Sequence, residues 1–297
     1  MQWKTNFFTP IQNDNFKLTC AILRLIERQR NDQVIGQGLI ERVLGSFVSL
    51  GLDEDDINRV QLDVYKVHFE APFLGATEKH YELRSRTFLA ENSISNYLKK
   101  AEEWLKEEEG RAERYLNTET RGPLISSCVD ILVREHLELM YEASQSFFAH
   151  DRDEDLQGMY GLLARTPDDL EPLRTKFEEH LKWAGLTAVL RVIEEGGRAT
   201  EVNPKAYVDG LFEVYRKGSE MVKRNFKGEA GFVACLDRAC GEFINRNAAT
   251  GAPGARSCEL LTKHADNLLR WGNQMAVEYP ESTMGQVVCT FSDWLSV

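Results

Sequence analysis

Two cysteines five positions apart are the first candidates for chemistry in this sequence. Cys235 and Cys240 lie in GFVACLDRACGEFINRN (231–247), and the chain holds 6 cysteines in all. Thiolates bind zinc and act as nucleophiles. On a helix, however, residues five apart point about 140° away from each other, so one metal ion cannot take both. We therefore interpret both as core residues, because a free cysteine packs like a small hydrophobe. The apolar face that this predicts consists of Phe232, Val233, Leu236, Cys240, Phe243 and Ile244, with Cys235 beside it.

Histidines offer no metal-binding pattern. None of the six is paired with another at i, i+4 spacing, so a zincin-like motif is excluded. A Cys-His nucleophilic site stays open, but nothing in the sequence selects one. We expect each histidine to be a solvated or hydrogen-bonded helix residue. The six are His68, His80, His136, His150, His180 and His264.

The stretch DRDEDLQGMYGL (151–162) begins like a calcium loop. Asp151, Asp153 and Asp155 occupy positions 1, 3 and 5, but Leu156 replaces the glycine and Leu162 replaces the bidentate glutamate. The loop thus lacks its turn and its strongest ligand. Carboxylates that face the dipole at the start of a helix over 154–165 are the better interpretation.

DEDDINR (53–59) raises the possibility of a class I isoprenoid synthase, which holds magnesium with a DDxxD cluster. Here Asp55 and Asp56 are followed by Arg59, and no second motif of that enzyme class occurs. We interpret the stretch as a solvated turn before a helix. GAPGARS (251–257) lacks the Lys-Ser/Thr of a phosphate loop, and no GxSxG elbow is present. The sequence thus predicts no catalytic residue, no cofactor and no metal.

Charge, apolar runs and cysteine spacing argue against several further classes of protein. A net charge of -11 over 297 residues argues against a nucleic-acid-binding surface. Lys and Arg are spread along the chain, so no polybasic membrane anchor is visible. The N-terminus lacks a secretory pattern, and no apolar run approaches the roughly 18 residues that span a bilayer. The cysteine spacing predicts a reducing, intracellular environment.

Apolar residues recur at helical spacing almost everywhere. The clearest stripe lies between 94 and 116, where Ser93 or Ser95 could cap the start and Asn117 could end the helix. The segment 60–91 should kink at Pro72, and 123–149 is apolar on several faces. Further helices are predicted at 13–30, 35–51, 154–165, 168–194, 204–226, 229–246 and 257–270. QVVCTFSDWLSV (286–297) fits a helix at least as well as a strand. The pattern predicts an all-α bundle or helical array.

Several segments, in order, resemble the N-terminal arm of a cullin from SCF-type ubiquitin ligases, in a fungal-like form. They run collinearly from about Trp3 to Arg270, most densely over 62–250. The segments are 64–116 (VYKVHFEAPFLG to RAERYL), LVREHLELMY, DEDLQGMYGLLARTPDDLEPLRTKFEEHLKWAGLTAV, NPKAYVDGLFEVYRKGSEMV, GFVACLDRACGEFINRNAAT and CELLTKHADNLLR.

The resemblance implies an elongated array of five-helix cullin repeats that acts as a rigid, non-catalytic spacer in a ubiquitin ligase. It implies the end of the first repeat and start of the second at 1–52, the second at 53–165, the third at 166–255, and a divergent start of the next helical domain at 256–297. The implied partners are a Skp-type adaptor with an F-box protein and a RING subunit, in the cytoplasm and nucleus. No nucleic-acid or membrane partner is implied.

The resemblance also has limits. By this resemblance we expect the chain to begin after the family's adaptor-binding helices and to stop near the start of its globular C-terminal domain. We therefore assign no adaptor, RING or modifier site to any residue. An unrelated helical-repeat interaction scaffold, and more remotely the magnesium-dependent isoprenoid synthase, are the alternatives.

Overall fold

The computed structural model describes residues 6, 8–13, 16–50, 62–195, 202–247, 259–264 and 266. Every regular element among these residues is helical, so the all-α prediction is confirmed. The chain divides into two units, Met1–Leu137 and Glu138–Val297. None of the helices in these described ranges combines the length and apolar character that a bilayer span needs.

The first unit is built around a long central helix. The helix α6 packs against α3, α5 and α7, and α2 packs against α5. The side chains of Tyr97, Leu98, Trp104 and Leu105 put the predicted apolar stripe of α6 into the core. The helices of this unit are α1 (Thr9–Asn13), α2 (Lys17–Arg30), α3 (Gln37–Ser49), α4 (Asp63–Tyr65), α5 (Ala71–Glu91), α6 (Ile94–Tyr115) and α7 (Thr118–Leu132).

Side-chain caps mark the starts of α6 and of the next helix, α7. Ser93 is the N-cap, and its hydroxyl accepts from the backbone N–H of Asn96 at 3.4 Å. Ser95, the alternative cap, lies one residue inside the helix and is buried. Asn117 does not end α6; it starts α7 by accepting from the N–H of Glu119 at 3.0 Å. Asparagine is favoured at a helix start because its side-chain oxygen satisfies an orphan N–H there.

Pro72 disturbs the helical segment where the sequence predicted a kink. Proline has no N–H, so the carbonyl four residues earlier, that of His68, loses its helical donor. The residues Lys66–Glu70 form a wide π-helical turn at this place. The Thr19 hydroxyl from α2 donates to the His68 carbonyl instead, at 2.5 Å. The proline thereby creates a polar contact between α2 and the π-helical turn that precedes α5.

The apolar segment predicted around 123–149 is two helices. The helix α7 ends at Leu132, a short 3₁₀ turn spans Arg134–His136, and a new helix begins at Leu137. Tyr97 explains part of the break, because its hydroxyl donates to the Leu132 carbonyl at 2.9 Å. A carbonyl at a helix end has no partner within the helix, and a side chain from α6 supplies one here.

The second unit packs one long helix against two others. The helix α10 contacts α11 and α12, and α9 contacts α11. A 3₁₀ turn at Pro167–Leu170 leads into α10. The predicted bounds 168–194, 204–226 and 229–246 are confirmed to within three residues. The helices are α8 (Leu137–Ala149), α9 (Asp153–Leu163), α10 (Glu171–Glu195), α11 (Pro204–Asn225) and α12 (Ala230–Asn245).

A tight turn between α11 and α12 organises the aromatic core of the second unit. Lys227 and Gly228 have positive φ angles of 54° and 70°, which reverse the chain within a few residues. The rings of Phe226 and Phe232 consequently stack with their centroids 3.9 Å apart. Phe177 from α10 meets both rings edge-on at 5.6 Å. The turn thus ties three helices to one aromatic cluster.

Candidate functional site

The cysteine pair is part of the core, as the spacing predicted. Cys235 and Cys240 are 1% and 0% exposed on α12. Burial raises the pKa of both thiols above the ordinary range, so neither is a thiolate near neutral pH. Cys235 Sγ accepts from Arg238 Nη2 at 3.0 Å. The predicted apolar face is wrong at Val233, which is 41% exposed, while Cys235 itself is buried.

The histidines lie in different local surroundings, some exposed and some buried. His150 is exposed, directly follows α8, and contacts the Ser146 carbonyl of that helix. Burial lowers the pKa of His136, His180 and His264 below the usual value. No group of three or more His, Cys, Asp and Glu side chains in the described part of the chain could hold a metal ion.

The acidic stretch 151–162 is a helix start. The helix α9 begins at Asp153, with acidic residues in its first turn. Asp155 is nearly buried and pairs with Arg152 at 2.8 Å, while Asp153 pairs with Arg224 at 3.1 Å. Because guanidinium groups already occupy these carboxylates, they are not arranged as calcium ligands. Asp55, Asp56 and the GAPGARS stretch lie outside the described residues.

A buried cluster of charged and polar side chains joins α2, α5 and α6. Glu108 Oε1 accepts from Arg30 Nε at 2.8 Å, from the Tyr81 hydroxyl at 2.7 Å, and from Arg111 Nη1. Arg30 Nη2 also donates to the Thr77 hydroxyl at 2.8 Å. The three charged residues are at most 4% exposed. Glu108 Oε2 has no hydrogen-bond partner among the described residues.

The same cluster extends to a second layer of contacts. Gln29 Oε1 accepts from Arg111 Nε at 3.2 Å and from the Tyr115 hydroxyl at 2.9 Å. The Arg30 guanidinium lies 5.6 Å from the centre of the Phe73 ring. Arg111 thus reaches from Glu108 on its own helix to Gln29 on α2. The adjacent residues Gln29 and Arg30 of α2 are thus held by three side chains of α6, those of Glu108, Arg111 and Tyr115.

The two neighbouring guanidinium groups keep the buried carboxylate of Glu108 ionised. Burial alone would raise the pKa of Glu108, but the Arg30 and Arg111 charges outweigh it and hold that pKa below its usual range. Burial and the Glu108 charge raise the pKa of Tyr81 well above the ordinary tyrosine value. Burial likewise raises the pKa of Tyr115, to about 12. The cluster is therefore one carboxylate between two guanidinium groups, with neutral phenols around it.

This arrangement is suited to holding helices and not to proton transfer. A general base needs a pKa near the working pH and access to a substrate. Glu108 is fully buried, and two cations favour its ionised form. The sequence did not predict the cluster, because Arg30 and Glu108 are 78 positions apart and each reads as an ordinary helix residue. The one available signal was a glutamate on the same face of α6 as Trp104 and Leu105.

Partly exposed ion pairs connect the helices of the second unit. Arg174 on α10 donates to both carboxylate oxygens of Glu229, at 2.9 and 3.3 Å. Glu229 also caps α12 by accepting from the N–H of Phe232 at 3.3 Å. Further along the same helix pair, Arg238 Nη2 donates to Glu178 at 2.8 Å. These contacts fix α12 along α10 at two separate places.

The comparisons with known proteins agree with this architecture. Residues 1–292 match the cullin alpha solenoid domain. The chain is 40% identical to Cullin-1 of Dictyostelium discoideum over 270 residues, which are 90% of this chain and 34% of that protein. It is 32% identical to Cullin-1 of Schizosaccharomyces pombe over 292 residues, which are 98% of this chain and 38% of that protein.

A third relative, Cullin-1 of Caenorhabditis elegans, is 35% identical over 288 residues, which are 93% of this chain and 36% of that protein. The chain therefore spans little more than a third of the length of these relatives. Its match to the domain continues past Arg270, where the similar segments recognised in the sequence end. The resemblance of those segments is confirmed: the chain belongs to the cullin family.

Proposed function

We propose that this chain is a scaffold segment of an SCF-type cullin–RING ubiquitin ligase. Its role is that of a rigid, non-catalytic spacer between the substrate receptor and the RING module, in the cytoplasm and nucleus. The observation that carries the proposal is the match of residues 1–292 to the cullin alpha solenoid domain. In this role the protein sets the distance over which ubiquitin reaches a substrate and contributes to protein degradation.

The helix contacts support a rigid role. A spacer transmits geometry only if its helices keep fixed positions, and interlocked cores deform little. Glu108 binds side chains of α2, α5 and its own helix, and Arg174 links α10 to the start of α12. The repeat boundaries proposed from the resemblance are 1–52, 53–165, 166–255 and 256–297. The adaptor with its F-box protein and the RING subunit would bind regions of a full-length cullin outside this segment.

A chimera tests the proposed function. Residues 1–292 would replace the matching segment of Schizosaccharomyces pombe Cullin-1, and substrate ubiquitylation would be measured with adaptor, F-box protein and RING subunit present. We expect the chimera to support ubiquitylation. A control with a Gly/Ser linker of equal length should bind adaptor and RING subunit yet fail to modify substrate, because such linkers are flexible. Equal activity of the linker control would contradict the spacer role.

A further inference from the structure

A groove runs along the first unit between α2 and α5. Its volume is about 770 Å³, and its walls are formed by residues between Cys20 and Asn31, along α2 and its C-cap, and between Ala76 and Thr87 of α5. Eleven residue steps of helix on either side give it a length of roughly 17 Å, about three helical turns. The groove is thus long enough to seat a third helix beside the two that form it.

The floor of the groove is apolar. Its apolar lining residues are Leu23 and Ile26 of α2 and Ala76 and Leu83 of α5. Ile26 is buried beneath the surface, whereas Leu83 is 71% exposed. An exposed leucine alone is ordinary, but here it borders a cavity whose floor carries further apolar side chains. The floor therefore offers apolar surface that a docked partner would remove from water.

The rim of the groove is cationic. Arg24, Lys79 and Arg84 line it with one carboxylate, that of Glu27, among the described lining residues. In the part of the chain that the structure describes, neither Arg24 nor Lys79 forms an ion pair. Arg84 is held in place, because it donates to the Arg30 carbonyl at 3.1 Å. The rim thus carries two net positive charges on a protein whose net charge is -11.

Two further basic side chains at the groove do not reverse this charge. Arg30 pairs with Glu108 beneath the surface, and Glu108 also pairs with Arg111, so this buried cluster keeps one net positive charge. Burial, together with the Arg30 and Arg84 charges, lowers the pKa of His80 to about 4, so its ring is neutral near pH 7. The positive rim therefore persists at neutral pH.

We propose that this groove binds an amphipathic helix of a partner protein, with apolar residues at i, i+3/i+4 and i+7 flanked by Asp and Glu. Helix-in-groove recognition uses such anchors, which here would cover Leu23, Ala76 and Leu83. The flanking acids would meet Arg24 and Lys79, the unpaired rim cations. A nucleic acid fits less well, because it has no apolar face for this floor and the whole protein repels it. The proposal does not depend on the proposed spacer role.

Selection from a displayed library of random 16-residue peptides tests this proposal. The full 297-residue chain is the bait. We expect enriched peptides with leucine-like residues at helical spacing and an excess of Asp and Glu. These peptides should bind R24E/K79E at least about 10-fold more weakly than the parent chain. No enrichment, or enrichment without an acidic excess, would overturn the proposal.

A matched control separates the groove from general charge effects. R28E/R86E reverses one cation on each of the same two helices, outside the groove, where Arg28 contacts Gln33 and Arg86 pairs with Glu82. It should change peptide binding less than about 2-fold, since rim-distant exposed charges contribute little. Equal losses in both double variants would contradict a site in the groove.

Two further measurements keep the test independent of folding. L83S alters an exposed side chain, so the fold should persist while selected peptides bind about 3-fold or more weakly. A peptide with Lys in place of its Glu residues should bind R24E/K79E better than it binds the parent chain. Failure of this charge swap would show that the rim does not recognise acidic groups.

Discussion

Replacing Glu108 should lower the unfolding free energy, because Glu108 is the carboxylate of the buried ion cluster. Glu108→Gln keeps the shape of the side chain but leaves Arg30 and Arg111 buried without a counter-charge. Removing one partner of a buried ion pair typically costs about 3–5 kcal/mol of unfolding free energy, because the remaining charges stay desolvated. Urea unfolding of the whole chain, followed by circular dichroism, would measure the loss.

Glu102→Gln is the matched control for that change. Glu102 lies on the same helix and pairs with Lys106 at 2.8 Å, but both side chains are exposed. Exposed pairs of this kind contribute about 0–1 kcal/mol. If the two variants lost equal stability, the buried cluster would not hold the helices as described.

Buried histidines should make the stability of the fold depend on pH. The folded pKa of His80 is about 4 because of burial and the nearby Arg30 and Arg84 charges, against an unfolded value near 6.5. Between these two values the unfolded chain binds a proton that the folded chain does not. The stability of the fold therefore falls as pH drops from about 6.5 to about 4. Burial of His136, His180 and His264 acts in the same direction.

His80→Gln should reduce this loss of stability. The variant removes a group that gains a proton only on unfolding, so its unfolding free energy should depend less on pH between about 6.5 and 4. His150→Gln serves as the control, because His150 is exposed at the end of α8. Chemical unfolding at half-unit pH steps would compare them. Parallel pH profiles for parent and H80Q would show that His80 is not the source.

At the scale of elements, two glycines allow the helices of the second unit to approach closely. A Cβ atom on Gly185 would lie 2.4 Å from the Phe243 ring, and one on Gly218 would lie 2.7 Å from a Leu236 methyl group. Real Cβ contacts are essentially never below 3.0 Å, so the Phe243 and Leu236 side chains, or the helices that carry them, would have to shift. The crossing of α10 and α12 thus depends on the absence of a side chain at residue 185.

Gly185→Ala should therefore destabilise the second unit. Overpacking in a filled core typically costs about 1–3 kcal/mol, which exceeds the small gain in helix propensity. Gly241→Ala on α12 is the control, because its Cβ would meet nothing within 4 Å and should stabilise the helix by up to about 1 kcal/mol. Thermal unfolding would compare the two. An equal rise in Tm for both variants would contradict the close crossing.

The sequence alone was sufficient to locate most helices, but not all of their ends. Helical spacing and the cap at Ser93 located most helices, because these signals are local. The break after Leu132 was missed, since the carbonyl there is satisfied by Tyr97 from another helix. Asn117 was assigned to the wrong side of its junction, because one side chain can end a helix or begin the next. Local patterns identified helices, and side chains from distant positions decided where several of them stop.

The candidate site was less predictable for the same physical reason. Cysteine spacing on α12 was enough to exclude a shared metal, since helical geometry fixes the angle between side chains. The ion cluster required knowing that α2, α5 and α6 meet, which no spacing within one helix reveals. Arg30 sits in the last turn of α2, where a basic residue is expected from the helix dipole alone. The position of Arg30 at a helix end therefore gave no sign that it also pairs with Glu108 on another helix.

For the whole molecule, the two units stabilise their helices in different ways. The first unit buries charged groups around Glu108, whereas the second stacks Phe226 on Phe232 and brings α10 close to α12 through Gly185. Each set of contacts lies within one unit. A perturbation at Glu108 or Gly185 should therefore be felt first by the helices that it touches, since substitutions without shared partners act nearly independently.

Amide hydrogen exchange of the whole chain would test this expectation. Glu108→Gln should speed exchange in α2, α5 and α6, because these helices lose their common anchor, and should leave α10 and α12 close to the parent rates. Gly185→Ala should give the opposite pattern. Peptide-resolved mass spectrometry under native conditions can separate all five helices. If either variant accelerated exchange equally in both units, opening would be cooperative over the whole chain, and the contacts within each unit would not set its local stability.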